Sequence, residues 1–142
     1  MPTFPKPPAK DLIYEDRDTF ACIASAPFAK GHVIVAWKKD VADLHALHCK
    51  EFDRLMAVVD AVRDAILLAY GTDKVYLFYM DELRHVHWHL IPRLGKMTGF
   101  KLVVGPAAAG AKKDPRAAVV LREAMRKVLP EHKELGKKTN RK

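Results

Sequence analysis

Between Arg84 and Arg93 the chain reads Arg-His-Val-His-Trp-His-Leu-Ile-Pro-Arg. His85, His87 and His89 alternate with Val86, Trp88 and Leu90. Successive side chains of a strand point to opposite faces, so the three histidines form a row on one side and the apolar residues enter a core on the other. On a helix, at about 100° per residue, the same histidines would fan around the axis. The β-branched and aromatic residues between them also favour a strand. One segment thus demands a sheet with a polar, titratable face and an apolar face.

Imidazole serves as nucleophile, proton carrier or metal ligand near neutral pH. A half-exposed polar face without chemistry is the plainest alternative. A metal site is a second one. His-x-His on a strand is a two-ligand unit for zinc, but alternate residues lie about 6.6–7 Å apart, so three in a row do not easily reach one ion. Cys22 and Cys49 lack a partner at ligand spacing. Nucleophilic catalysis is the third reading.

The motif His-φ-His-φ-His-φ-φ, with φ apolar, resembles the signature of the histidine triad (HIT) proteins, and His85 to Ile91 match it at every position. A second block, Pro27-Phe28-Ala29-Lys30-Gly31-His32-Val33-Ile34-Val35, is similar to the Pro-x-x-x-Gly-His segment that precedes the long helix of that family. The order of Gly-His strand, helix, strand and triad strand agrees, and the resemblance spans about residues 18–93.

A chain of 142 residues is sized for one domain. No apolar run reaches the roughly 18 residues of a membrane span, and no charged-then-apolar leader stands at the N-terminus. Two distant cysteines suggest free thiols in a reducing cytoplasm. The formal charge of +8 would steer anionic substrates such as nucleotides. Much of it lies in Lys133, Lys137, Lys138, Arg141 and Lys142 near the C-terminus and in Lys6 and Lys10 of the head. That placement reads as solvated ends rather than a nucleic-acid site.

Residues 1–10, with Pro2, Pro5, Pro7 and Pro8, read as a flexible lead-in. Residues 11–130 read as the single domain and 131–142 as a basic tail. Strands are expected at Asp11–Glu15, Thr19–Ala24, His32–Lys38 and Lys74–Met80. The last of these is apolar on both sides and reads as central, turning through Asp81–Arg84 into an antiparallel hairpin with the triad strand. From about His48 to Tyr70, Phe52, Leu55, Met56, Val59, Val62, Ile66, Leu67 and Tyr70 recur at helical spacing. Val58, Ala61, Ala65 and Leu68 form a second apolar strip, which points to a partner subunit. Arg63 lies within the first stripe and needs a partner or a route to solvent. His45 and His48 read as surface or capping residues. Phe100–Val104 reads as a short strand, Ala107–Lys113 as a loop, and Asp114 with Pro115 opens a second helix to about Leu129, with Arg122 exposed.

The resemblance implies that His87 attacks the α-phosphorus of a nucleotide and forms a nucleotidyl-histidine, with no cofactor and no metal. It implies that His89 contacts the phosphate or leaving group, and that His85 and His32 belong to the supporting hydrogen-bond shell. Ile34 and Cys22 match wall positions of the base pocket, or are plain core. Arg93, on the triad face if the strand continues past Pro92, is the phosphate candidate, and Arg84 faces away. Ala24 stands where many members carry a ribose-binding Asp or Asn, and Asp81–Arg84 is shorter than the usual Gly-rich loop with its Gln. Pro92-Arg93 is more similar to the dinucleoside-polyphosphate branch, and His89 differs from the Gln of the uridylyltransferases.

The expectation is an α+β, HIT-like antiparallel sheet of about five strands with one long helix and a C-terminal helix, forming a homodimer without membrane or nucleic-acid partners. The expected activity is hydrolysis of, or nucleotidyl transfer from, a dinucleoside polyphosphate, nucleoside phosphoester or phosphoramidate. The alternatives are a nucleotide-binding module without turnover, or a metal-dependent hydrolase using the histidine row as ligands.

Overall fold

The computed structural model describes residues 5–80, 83–95 and 113–135. The expected strand at Phe100–Val104, most of the loop Ala107–Lys113 and most of the basic tail lie outside these residues. Five strands, β1 (Leu12–Glu15), β2 (Thr19–Ile23), β3 (Val33–Trp37), β4 (Val75–Tyr79) and β5 (His87–Pro92), form one antiparallel sheet in the order β1-β2-β3-β5-β4. Two helices, α1 (Cys49–Tyr70) and α2 (Ala117–Val128), complete the fold. This is the expected α+β architecture. No helix among the described residues is long and apolar enough to cross a membrane.

Alternation sorts the sheet into two faces. Ile23, Val33 and Leu90 pair in register, as do Ala21, Val35 and Trp88. Their side chains join Leu55, Val59, Val62 and Ile66 of α1 in the main core. The opposite face carries the rows Cys22–Ile34–His89–Phe78 and Phe20–Ala36–His87. Phe20, Cys22 and Ala36 form a smaller apolar cluster there, with Leu12 and Ile34 packed against it. His87 and His89 are therefore on the face that the helices leave uncovered.

Three expectations are corrected. The strand Val75–Tyr79 is an edge, paired with β5, and not central. β5 pairs with one side of β4, and β3 with the far side of β5, so the triad strand takes the middle. The second apolar strip of α1 is covered within the chain: Val58, Ala61 and Ala65 are buried in one cluster with Ala117, Ala118, Leu121 and Met125 of α2. Only Leu68 of that strip stays exposed, at 53 %. Arg122, expected to be exposed, donates instead from Nη1 to the Leu12 carbonyl at 2.8 Å and ties α2 to β1.

Polar residues settle as their chemistry requires. Arg63 finds Asp60 at 3.3 Å and Asp64 at 3.4 Å. The His48 amide donates to Glu51 Oε1 at 3.0 Å across the start of α1, and Gly71, with φ 60°, terminates it in the left-handed conformation. Gly31 has φ 82°, and a Cβ there would lie 2.7 Å from Pro92 Cγ and 3.1 Å from Tyr70 Cε2. Both the backbone and the space demand glycine. Gly31→Ala is expected to lower stability by about 2–4 kcal/mol, combining left-handed strain with overpacking. A thermal melt showing less than a few degrees of loss would contradict this.

Candidate active site

His87 and His89 lie on the uncovered face of β5, two residues apart, with ring centroids 4.9 Å apart and planes at 67°. The strand begins at His87, so His85 precedes it rather than continuing the row. Its role follows from that position. His85 Nε2–H donates to the Trp37 carbonyl at 2.6 Å, and the His85 carbonyl accepts Nδ1–H of His87 at 2.7 Å. Asp40 Oδ1 stands 3.6 Å from the other nitrogen of His85. A carbonyl oxygen can only accept, so Nδ1 of His87 carries the proton and, in the neutral ring, Nε2 carries the lone pair.

A second chain of hydrogen bonds sets His89. The Phe28 amide donates to Nδ1 of His32 at 3.0 Å, so the His32 proton sits on Nε2. That nitrogen lies 2.8 Å from Nδ1 of His89 and donates to it. The proton of neutral His89 is thereby placed on Nε2. Two main-chain groups, the Phe28 N–H and the His85 C=O, thus dictate opposite tautomers on adjacent rings: an acceptor nitrogen on His87 and a donor nitrogen on His89.

The neutral state of the second chain is enforced by its surroundings. Burial, with the neighbouring imidazoles of His89 and His87 adding to it, pushes the His32 pKa down to about 3. Burial and His87 push that of His89 down to about 4. His32, His85, His87 and His89 are 1, 6, 4 and 8 % exposed, so only a small edge of each catalytic candidate meets solvent. Both shifted imidazoles titrate below the ordinary 6.5, so the unfolded chain binds protons first as pH falls. Stability is expected to be complete above about pH 6.5 and to fall toward pH 4 by up to about 1.4 kcal/mol per pH unit for each histidine. Melting temperatures across this range test it, and His32→Asn, which removes one titrating ring, should flatten the slope.

Two aromatic residues complete the site without having been singled out in the sequence. Phe78, directly across from His89 on β4, stacks on its ring at 4.7 Å and 8°. Phe28 stacks on the same imidazole at 5.8 Å and 13°. The cross-strand register would have found Phe78, and the Pro27–His32 block contains Phe28. Cys22 and Ile34 lie in the same row as His89, where the first is buried and the second half-buried. Burial, with Asp11 contributing, pushes the Cys22 thiol up to about 12, so it stays neutral. Asp11, itself buried, is paired with Lys113 beside this cluster.

Arg93, the expected phosphate contact, lies at the end of the triad strand. Its guanidinium pairs with Asp73 at 3.0 Å, and among the described residues it makes no hydrogen bond to a triad imidazole. The pair forms because β5 runs past the start of β4, where the Arg93 amide also donates to Lys74 O. Arg84, in the turn before the triad, has φ 53°. Ala24 is buried, and its amide donates to the His32 carbonyl at 3.0 Å. For the alternative in which the row ligates a metal, the bonds just described commit Nε2 of His85 to Trp37 and Nδ1 of His89 to His32, while Nδ1–H of His87 on a carbonyl leaves its Nε2 able to ligate. Among the described residues, three potential ligand atoms come together at Asp60, Asp64 and His132, where Arg63 also binds both carboxylates.

The family model of the HIT domain matches residues 7–96. The chain belongs to the HIT family. HIT family structures share its fold. A histidine triad family protein from Mycobacterium smegmatis, described as zinc-bound, is 23 % identical, with a TM-score of 0.70 over 88 % of this chain and 89 % of that one. A HIT-like protein from Bartonella henselae, described as involved in cell-cycle regulation, is 22 % identical with a TM-score of 0.66, covering 80 % of this chain and 85 % of that one. A uridylyltransferase mutant is 17 % identical with a TM-score of 0.65, covering 84 % of this chain but 44 % of the other. No curated protein sequence matches significantly. At these identities the neighbours establish the fold alone.

Proposed function

We propose that this HIT protein is a nucleotide hydrolase, or nucleotidyl transferase, acting at an α-phosphate through His87. The observation that carries the reading is the tautomer pair: a lone pair on Nε2 of His87 beside an N–H on Nε2 of His89, each set by a main-chain anchor. In the first step Nε2 attacks the α-phosphorus, a P–N bond forms, and the bond to the leaving group breaks with its electrons. His89 donates a hydrogen bond to a phosphoryl oxygen or to the departing atom, where negative charge develops. Water, or another acceptor, then attacks phosphorus, the P–N bond breaks, and His87 regains its lone pair.

The apolar cluster of Phe20, Cys22, Ala36 and Ile34 beside the imidazoles supports a flat, apolar base lying on the sheet. Substrates of the class expected are dinucleoside polyphosphates, nucleoside phosphoesters and phosphoramidates. The small exposure of His87, 4 %, is what favours the second reading, a binding module without turnover. Incubation with α-labelled nucleotide separates them. The enzyme traps label on the wild type and none on His87→Ala, whereas wild type that binds nucleotide with neither adduct nor turnover supports the module.

Exposed apolar groups near an open sheet edge support a homodimer. Leu77 on β4 and Phe52 on α1, which shares a cleft with Tyr79 of β4, are 39 and 38 % exposed. Light scattering is expected to give twice the chain mass, and Leu77→Glu to return it to one.

A further inference from the structure

A hollow of about 260 Å³ lies at the end of the sheet that carries His85. Its floor is Leu12 and Phe20, both part of the apolar cluster on the uncovered face. Lys6 and Pro7, from the segment before β1, wall it together with Glu15, Lys38 and His85. Glu15 and Lys38 pair at 2.7 Å, so their charges cancel within the wall. The HIT domain match begins at residue 7. Lys6 lies before it and Pro7 at its first position, so this wall is an element of this chain's own.

Strand register places the hollow relative to the triad. Phe20, Ala36 and His87 form one row across the sheet, and Cys22, Ile34 and His89 form the next. Neighbouring rows on one face are about 6.6–7 Å apart. The hollow lies toward the far side of the His87 row from the His89 row. Glu15 pairs with Phe20, Lys38 follows Trp37 at the end of β3, and His85 precedes β5. His87 therefore stands between two apolar places, one over Cys22 and Ile34 and the other over Phe20.

Size and charge decide what the hollow accepts. Sites for whole ligands span about 300–1,000 Å³. At about 260 Å³ this one takes a single ring system and not a nucleotide. An apolar floor, a proline and a cancelled charge pair suit a flat, uncharged ring. Glu15 offers such a ring acceptors for its polar edge, and Lys38 offers donors.

We propose that this hollow is the subsite for the leaving group, taking an uncharged heteroaromatic ring such as a second nucleobase. The subsite rests on the attack by His87 at an α-phosphate proposed above. With the first base over Cys22 and Ile34, a phosphorus at His87 has its nucleoside on one side and its leaving group on the other. Of the three substrate classes, dinucleoside polyphosphates alone place a second base there.

Binding to His87→Ala tests this without turnover. A dinucleoside tetraphosphate and the nucleoside triphosphate of the same base, similar in charge, are titrated separately. The two-base ligand is expected to bind at least about tenfold more tightly, since its second base is tethered to the first. That advantage should vanish when residues 2–7 are deleted and in Lys6→Ala/Pro7→Gly, with the triphosphate affinity unchanged. The deletion keeps Pro8, whose carbonyl accepts the Asp11 amide at 2.9 Å, and the double variant alters only an exposed and a half-buried side chain. Equal affinity for the two ligands in the parent, or an advantage that survives both variants, would overturn the subsite. So would an equal loss for both ligands, which would put the first base in the hollow. A wild type that forms no labelled adduct removes the His87 reaction instead, and the binding titrations do not depend on that result.

Discussion

His87→Ala is expected to lower kcat by at least about 10³-fold on any nucleotide the wild type turns over, with little change in nucleotide affinity. The size follows from what is removed. His87 is the only ring of the triad whose Nε2 lone pair is set by its own hydrogen bond, through Nδ1–H to the His85 carbonyl. Neither His89, committed as a donor by His32, nor His85, held on Trp37, can replace it. His89→Ala removes a charge-stabilising donor and should cost about 10²–10³-fold, mostly in kcat. His32→Ala leaves both rings in place but frees the His89 tautomer, so its loss should be smaller and should appear as an altered pH profile. Single-turnover measurements on these variants, with equilibrium nucleotide binding as control, test the order. A His87→Ala protein that retains turnover removes the nucleophile from the scheme.

Asp16→Ala is expected to produce the largest loss of stability, about 3–5 kcal/mol, because it strands a buried cation. The Asp16 and Arg54 side chains are 3 and 6 % exposed and meet at 2.6 Å. Asp16 also accepts from the Tyr14 hydroxyl, the Thr19 hydroxyl and the amides of Asp18 and Thr19, which hold the whole β1–β2 turn. Burial alone would raise its pKa, but these hydrogen bonds outweigh it and hold the carboxyl below its usual range. The group therefore stays ionised as pH falls until below the ordinary carboxylate range, and its stabilisation disappears only there. Asp16→Asn keeps the shape but removes the charge and should fall between wild type and Asp16→Ala. Denaturant unfolding at neutral pH checks both, and a midpoint shift equivalent to less than about 1 kcal/mol for Asp16→Ala, the scale of an exposed pair, would show that the pair is not buried in solution.

Much of the fold was legible because it is local. The period of two in His85–Leu90 and Val33–Trp37, and the period of three to four in α1, decide which side chains share a face whatever lies around them. The boundaries of β2 and β3 differ from expectation by only one residue at an end. Alternation could not decide what covers each face. Val58, Ala61 and Ala65 are an apolar strip whether α2 or a second chain lies on it, and the answer came from α2 packing back onto α1. Likewise the residues of β4 are apolar on both sides in an edge strand as in a central one. Arg93 has the parity of the triad row, yet Asp73, twenty positions earlier, holds it at the strand end.

The triad and the Gly-His block by themselves determined the family, the sheet and the residues that form the row, since spacing along one strand requires nothing distant. The tautomers were decided only by the tertiary structure: the proton positions depend on Phe28 N–H, on the His85 carbonyl, and on His32 meeting His89 across 57 positions of sequence. A histidine's place in a strand is set by periodicity, but which of its nitrogens holds the proton is set by the partner at the other end of a hydrogen bond.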